Sequence, residues 1–365
     1  MERLLVAVIV VLYTCSFDRV DGDLYPGART TADQGVAGGL RALADRSGLL
    51  VGAAVASGPL RSDEAYRNVL AREYSVLTPE NALKFGNVHP EPDRYDFRDF
   101  DQIVSFAEFH QMRVRGHTLV WHRQLPSWLE ERNWTRDELT EVLRTHIHEV
   151  VGRYRGRVHY WDVVNEAISD FWGLRRTIWL RTLGPDYIEM AFRFAHEADP
   201  DALLFYNEYG VEGLGRKSER MYELVSGLLQ RGVPIHGVGL QTHITQTIPS
   251  PGELGANLRR IETLGLRIHL TEVDVGVPQP TTEGRLLKQA VLYQQLMDSC
   301  LAVRSCGAFV TWGFTDAHSW VPSFFPGLGA ALPFDSELRP KLSYGALAGS
   351  LMASPTVRAS DRQSR

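Results

Sequence analysis

Two stretches of this sequence carry acids where an apolar run would be expected. Arg267-Ile268-His269-Leu270-Thr271-Glu272-Val273-Asp274-Val275 reads as a β-strand between Gly265 and Gly276, with Glu272 and Asp274 near its carboxyl end. A parallel strand covered on both faces is normally apolar throughout. Residues two apart in a strand point the same way, so these two carboxylates share one side. Burying them together is costly without compensation. The bland explanation is a strand-end acid that caps a helix or pairs with an arginine. A second strand of similar design, Tyr160-Trp161-Asp162-Val163-Val164-Asn165-Glu166-Ala167, argues against it. Paired acids of this kind suit proton transfer and nucleophilic attack.

The surrounding periodicity shows what must position these residues. Apolar runs over 49–56, 75–81, 113–121, 158–166, 202–209, 237–244, 267–275 and 308–316 are strand candidates. Helical patterns over 62–72, 99–110, 135–155, 186–198, 216–230, 253–264, 283–303 and 343–352 separate them, after a first helix ending near Arg46. Thr135 followed three residues on by Glu138 is a capping-box signature. Alternating strands and helices imply parallel βαβ units with right-handed crossovers, and eight such units close into a (β/α)8 TIM barrel, an α/β single domain. An open doubly wound sheet is disfavoured, because no Gly-rich phosphate loop follows the first strand.

Active sites of such barrels sit at the carboxyl ends of the strands, and the polar residues of this chain collect there. Those ends bring Glu80, Asn81 and Lys84 after strand two, and His117, Trp121, His122 and Gln124 around strand three. Asn165 and Glu166 follow on strand four, Asn207, Glu208 and Tyr209 on strand five, and Gln241 and His243 on strand six. Glu272 and Asp274 close strand seven; Trp312 and Trp320 lie on and after strand eight. A cup of carboxylates, amides and indoles suits carbohydrate. Glycoside cleavage needs one carboxyl protonated to serve the leaving oxygen and one ionised. Strands four and seven lie opposite in an eight-stranded ring, which makes Glu166 the expected acid/base and Glu272 the expected nucleophile. His243 is expected to donate to Glu272 while Asp274 holds its other nitrogen and fixes the tautomer. The Glu272 anion is in turn expected to raise the Glu166 pKa.

Glu80-Asn81-x-x-Lys84, Gly116-His117-Thr118-Leu119-Val120-Trp121-His122, Trp161-Asp162-Val163-Val164-Asn165-Glu166-Ala167, Gln241-Thr242-His243, Thr271-Glu272-Val273-Asp274 and Thr311-Trp312-Gly313, in this order, resemble the family-10 glycoside hydrolases, the endo-β-1,4-xylanases. The resemblance spans nearly the whole mature chain. It implies retaining hydrolysis of β-1,4-xylosidic bonds in xylan through a covalent glycosyl-enzyme, with Glu166 as acid/base and Glu272 as nucleophile. It implies that Asn165 holds the 2-hydroxyl of the attacked sugar. Glu80, Asn81, Lys84, His117 and Trp121 would contact the non-reducing-side sugars, with Gln241 and His243 beside the nucleophile. Gln124, Tyr209, Trp312 and Trp320 complete the expected substrate contacts. Trp312 and Trp320 closing over C5 of the ring would exclude the hydroxymethyl group of glucose. One departure is local: Asn207-Glu208-Tyr209-Gly210 stands where relatives often read Asn-Asp-Tyr-Asn. No cofactor or metal is expected. A cellulase or mannanase on the same barrel, or a catalytically silent sugar-binding barrel, are the competing readings.

Composition agrees with a globular enzyme: 365 residues, 44% hydrophobic and 23% charged, with eight Trp and thirteen Tyr to serve as sugar platforms. A net charge of -5 leaves no basic stripe, which argues against nucleic acid. Residues 1–22 read as a secretory signal peptide, with an apolar run Leu4 to Cys15 behind Arg3 and cleavage after Ser16 or Gly22. Tyr13 and Thr14 disfavour a lipoprotein site at Cys15. The catalytic domain is expected over 23–352, with a polar tail over 353–365, as a secreted monomer without membrane attachment once the signal is removed. In an oxidising compartment Cys300 and Cys306 are expected to pair, closing a small loop worth about 2 kcal/mol; two buried free thiols are the alternative. The resemblance points the same way, since many relatives oxidise such a pair. His146 and His148, two apart on a helix, cannot share a face and are expected on the surface. His117 and His122 are discounted as zinc ligands, because a five-residue offset on a strand puts them on opposite sides.

Overall fold

The computed structural model describes residues 38–245 and 249–356. The segment 1–22, read as a signal peptide, and the tail beyond 356 lie outside the described residues. Among the described residues no helix is long and apolar enough to cross a membrane.

Eight parallel strands form the wall of a barrel: β1 (Leu50–Val55), β2 (Val76–Pro79), β3 (Arg113–Val120), β4 (Tyr160–Asn165), β5 (Leu203–Glu208), β6 (Gly237–Leu240), β7 (Arg267–Val275) and β8 (Cys306–Thr311). Each pairs with its neighbours in sequence order, and β1 pairs with β8 to close the ring. Helix α1 (Gly39–Ser47) precedes β1. One long helix then follows each strand: α2 (Glu64–Glu73), α3 (Arg98–Phe109), α4 (Arg136–Arg153), α5 (Tyr187–Ala198), α6 (Arg216–Gln230), α7 (Pro251–Glu262), α8 (Glu283–Leu301) and α9 (Leu342–Ala353). The expected TIM barrel is the observed one. Thr135 caps α4 through a complete capping box with Glu138, which satisfies backbone donors a helix start leaves open. A second capping box, Ser250 with Glu253, starts α7 earlier than the apolar periodicity suggested.

The main apolar core lies between strands and helices, and a smaller plug of Val76, Tyr160, Phe205, Ala308 and Val310 fills the barrel's lower interior. His146 corrects an expectation. It is fully buried, stacked on Phe85 at 3.8 Å between centroids, with Nδ1 3.3 Å from that of His89. Helical spacing separates His146 from His148 but does not say which faces the barrel; His146 lies next to buried Ile147 on the inner side. Burial drives its pKa well below the ordinary imidazole range. Cys300 and Cys306 are joined in a disulfide, tying the end of α8 to the start of β8.

Three local irregularities matter for the mouth of the barrel. The pairing of β7 with β8 shifts between Leu270 and Val273, so Thr271 and Glu272, adjacent in sequence, both turn inward. On β4 the register slips between Asp162 and Val164, which turns Asn165 inward along with Asp162. Thr242, two residues beyond β6, adopts φ 65°, and His243 and Ile244 form a separate two-residue pairing with Asp274 and Val275. A single alternating strand over 237–244 would have lacked that turn.

Gly239 on β6 makes room for the site: a Cβ there would collide with the Asn207 side-chain oxygen and lie 2.8 Å from Thr271 Cγ2. Asn207 has no slack, being hydrogen-bonded on both sides. Gly239→Ala is expected to cost about 2 kcal/mol of stability and to lower kcat by displacing Asn207. Denaturant unfolding and turnover measured together check this; wild-type values in both would refute it.

Candidate active site

Charge matching explains how the barrel mouth tolerates so many buried ionisable groups. Asp162 at the middle of β4 receives Arg115 in a two-pronged ion pair, with Nε 2.9 Å from Oδ2, and receives His117 Nδ1 at 2.9 Å. Burial pushes the Asp162 carboxyl up, but Arg115 and His117 outweigh it and hold it below the usual range. A lysine ammonium only donates, so His117 Nε2 accepts from Lys84 Nζ at 2.9 Å and its Nδ1 carries the proton toward Asp162. Lys84 is itself buried beneath indoles, 4.1 Å from the Trp121 ring centroid and 5.4 Å from that of Trp312. Burial lowers its pKa, and Glu272 and Glu166 oppose that shift most strongly.

Glu272 sits above this network. Asn207 Nδ2 donates to its Oε1 at 2.7 Å and His243 Nε2 to its Oε2 at 3.0 Å. Desolvation would raise its pKa; His117, His243 and Lys84 overcome that and keep it low. His243 bridges the two strand-seven acids, its Nδ1 3.0 Å from Asp274 Oδ2. Burial would lower the His243 pKa, but Asp274 and then Glu272 raise it to about 10. Both ring nitrogens therefore donate at neutral pH. The expected contacts of His243 with Glu272 and Asp274 are both present, and the two carboxylates together favour the imidazolium. The Trp320 indole also donates to Asp274 Oδ2, at 2.7 Å, and its ring lies edge-on to His243.

Glu166 follows β4 with φ 57°, a left-handed conformation that a side-chain-bearing residue adopts at a cost of about 1–3 kcal/mol. Its backbone is pinned on both sides, by Asn207 O to its N–H and by Arg175 Nε to its carbonyl. Gln241 Nε2 donates at 3.1 Å to Glu166 Oε1 and at 3.1 Å to Asn165 Oδ1. Asn165 Oδ1 also accepts from Asn207 Nδ2 at 2.9 Å. One amide network thus joins Glu166 to Glu272 across the mouth. His122 stands 3.7 Å from Glu166 Oε2, with its pKa lowered by burial to about 4 despite that carboxylate.

The remaining sequence candidates lie around this centre. Asn81 links Glu80 and Gln124, at 3.5 and 3.4 Å, along a cavity of about 700 Å³ that Glu80 and Asn81 help to line. Tyr209 lies on the far side, near Glu166. Its hydroxyl donates to Asp170 at 2.7 Å and accepts from Arg175 at 2.9 Å. Lys217 Nζ covers one ring face at 3.2 Å from the centroid. Glu208 is completely buried beside Lys217, and burial pushes its carboxyl up to about 7 against the pull of that lysine.

Sequence reasoning gave no role to Asp162, Arg115 or Arg175, and placed Asn207 only among the polar residues at the end of strand five. Asp162 left a signal, an acid inside an otherwise apolar run. Arg115 and Arg175 left none, because their partners are distant in sequence or are backbone carbonyls.

The raised His243 pKa has a consequence for stability. The stabilisation it brings is fully present below about pH 6.5 and fades as pH rises toward about 10. The stability difference between wild type and His243→Gln is therefore expected to shrink over that window, and urea titrations at pH 6.5 and 9.5 would show it. A difference independent of pH would exclude a buried imidazolium.

The model of glycosyl hydrolase family 10 matches residues 39–350. Endo-1,4-beta-xylanase B of Thermotoga neapolitana is 44% identical over 311 residues, covering 84% of this chain and 90% of that protein. Native xylanase 10B from Thermotoga maritima superposes with a TM-score of 0.84 at 45% identity, covering 86% of this chain and 98% of that one. Xylanase 10B from Thermotoga petrophila RKU-1, solved in complex with xylobiose, gives 0.85 at 45% identity, with 87% and 98% covered. With a closed barrel, two glutamates joined across its mouth and a family match over most of its length, this chain belongs to glycosyl hydrolase family 10 and is a glycoside hydrolase.

Proposed function

We propose that this chain is a secreted endo-β-1,4-xylanase that cleaves xylan with retention, Glu272 acting as nucleophile and Glu166 as acid/base. The observation that carries the reading is the His243 bridge between Glu272 and Asp274, together with the amide network reaching Glu166. A nucleophile must stay anionic, and the donors on Glu272 favour its anion. In the first step a Glu272 oxygen attacks the anomeric carbon, the bond to the leaving oxygen breaks, and Glu166 gives that oxygen its proton. In the second, Glu166 takes a proton from water, whose oxygen attacks the same carbon and releases Glu272. Asn165, held between Asn207 and Gln241 at the level of both acids, supports a role in gripping the 2-hydroxyl. Glu80, Asn81, Lys84, His117 and Trp121 would receive the non-reducing-side sugars. The named activities of the Thermotoga relatives and the xylobiose in one of them support xylan as substrate. Trp312, buried to 8% exposure against His117, and Trp320, tied to Asp274, support the exclusion of a C5 hydroxymethyl group.

Reducing-sugar release from xylan, with far less from cellulose and mannan, is the expected outcome, and NMR of early products should show the retained anomer. Equal activity on cellulose, or an inverted product, would end this reading. Glu272→Ala is expected to lose at least roughly 10³-fold in kcat. Glu166→Ala should lose about 10²–10⁴-fold on xylan, and much less on an aryl xyloside whose leaving group needs no proton. Equal losses on both substrates would remove Glu166 from the acid role.

A further inference from the structure

Exclusion by a clash works only if the wall does not yield. Trp320 is the less directly supported half of that wall. Trp312 immediately follows β8, whereas Trp320 is carried on an excursion over 317–331, at the head of a helical turn Val321–Phe324. Its side chain is tied to the acids by one indole hydrogen bond to Asp274 and an edge contact with His243. A single hydrogen bond is a modest restraint. A sugar bearing a hydroxymethyl group would push the ring aside unless the excursion itself were stiff.

One ammonium closes the neck of this excursion. Lys341, immediately before α9, donates from Nζ to Asp316 Oδ2 on the outgoing limb at 2.8 Å. It also donates to the carbonyls of Ala330 and Leu332 on the return limb, at 2.6 and 2.7 Å. An ammonium has three donors, and here all three are used, divided between the two limbs. Asp316 crosses the neck as well, its Oδ1 accepting from Leu332 N–H at 2.9 Å. The Lys341 side chain is 9% exposed and that of Asp316 15%. Parting the limbs would therefore strand a mostly buried ion pair.

The clasp is continuous with both the barrel and Trp320. Ala331, between the two clasped carbonyls, accepts from Val275 N–H at the end of β7 at 3.1 Å and from the Tyr293 hydroxyl on α8 at 2.8 Å. Gln289 on α8 also donates to the Ala330 carbonyl. The return limb is thus fixed to the strand that carries Glu272 and Asp274. Ala331 and Leu332 further form, with Val321, a small apolar core on which Trp320, Phe325 and Leu328 pack. Lys341 ties the outgoing limb, which leads to Trp320, to that fixed return limb.

Resting on the reading that Trp320 excludes a C5 hydroxymethyl group, we propose that Lys341, with Asp316, is a specificity-determining positioning residue that closes the neck of this loop and keeps Trp320 from yielding to a glucose ring. Both side chains act through the indole and not on the sugar. Weakening the clasp relaxes the rejection of glucose units and leaves turnover of xylose units largely as it is.

The test compares wild type, Lys341→Met, Asp316→Asn, Trp320→Ala and the Lys341→Met/Trp320→Ala pair on an aryl β-xylobioside and an aryl β-cellobioside. The readout is the ratio of kcat/KM on the two. A one-carbon difference in a substrate is worth about 10–200-fold in discrimination. Lys341→Met is expected to lower the xylose-to-glucose ratio about tenfold, with kcat on the xylobioside within about threefold of wild type. Asp316→Asn, which keeps the side-chain shape, should lower the ratio about threefold and decides the matter if Lys341→Met does not fold. Trp320→Ala should lower the ratio at least as far as Lys341→Met, and the pair no further than Trp320→Ala alone, because the clasp works through the indole. An unchanged ratio in the clasp variants would overturn the proposal, as would equal losses on both substrates or a pair in which the two effects multiply. A wild type that cleaves both glycosides equally, or Trp320→Ala with wild-type selectivity, would overturn the exclusion reading and this one with it. A selective wild type with indifferent clasp variants would overturn this one alone.

Discussion

Glu272 and Asp274 are two buried acids on one side of one strand, and the imidazolium of His243 between them is what makes that arrangement tenable. Uncompensated, two such carboxylates buried side by side would not both ionise. The same matching recurs one layer below, where Asp162 faces Arg115 and His117, and Lys84 is offset chiefly by Glu272 and Glu166. Asp162, Glu272 and Asp274 are thus set among Arg115, Lys84 and His243. Removing one member of a buried pair leaves its partner uncompensated, so the cluster is best viewed as one unit.

A rigid wall is what holds this unit in register. The strands deliver their carboxyl ends to a common rim, and small faults in the strands aim the side chains. Slippage on β4 and β7 turns Asn165 and Thr271 inward beside their neighbours, and the left-handed Thr242 and Glu166 re-aim the chain at the mouth. Such faults are concentrated at functional sites because regular alternation cannot point adjacent residues to the same side.

The two ends of the cleft are built differently. On the β2 side polar groups line an open cavity. On the β5 side Glu208, Lys217, Asp170, Tyr209 and Arg175 interlock through ion pairs and hydrogen bonds. The local departure Asn207-Glu208-Tyr209-Gly210 falls in this second group. There Glu208 reaches Lys217 and the Ile168 amide together, bracing the hairpin after Glu166.

Sequence alone determined the barrel, the order of its elements and the strand ends where the polar residues gather, because hydrophobic period and capping residues are local properties. It also placed Glu272 and Asp274 on one side, since a two-residue offset survives any twist of the strand. Only the tertiary structure decided the charge of His243, because that depends on two carboxylates from another strand converging on its ring. Burial of His146 was likewise settled by which face of α4 meets the strands, which spacing between two histidines does not encode. Arg115 and Asn207 gained their roles from partners 47 and 65 residues away. Contacts at such separations exist only once the ring has closed, and no local pattern announces them.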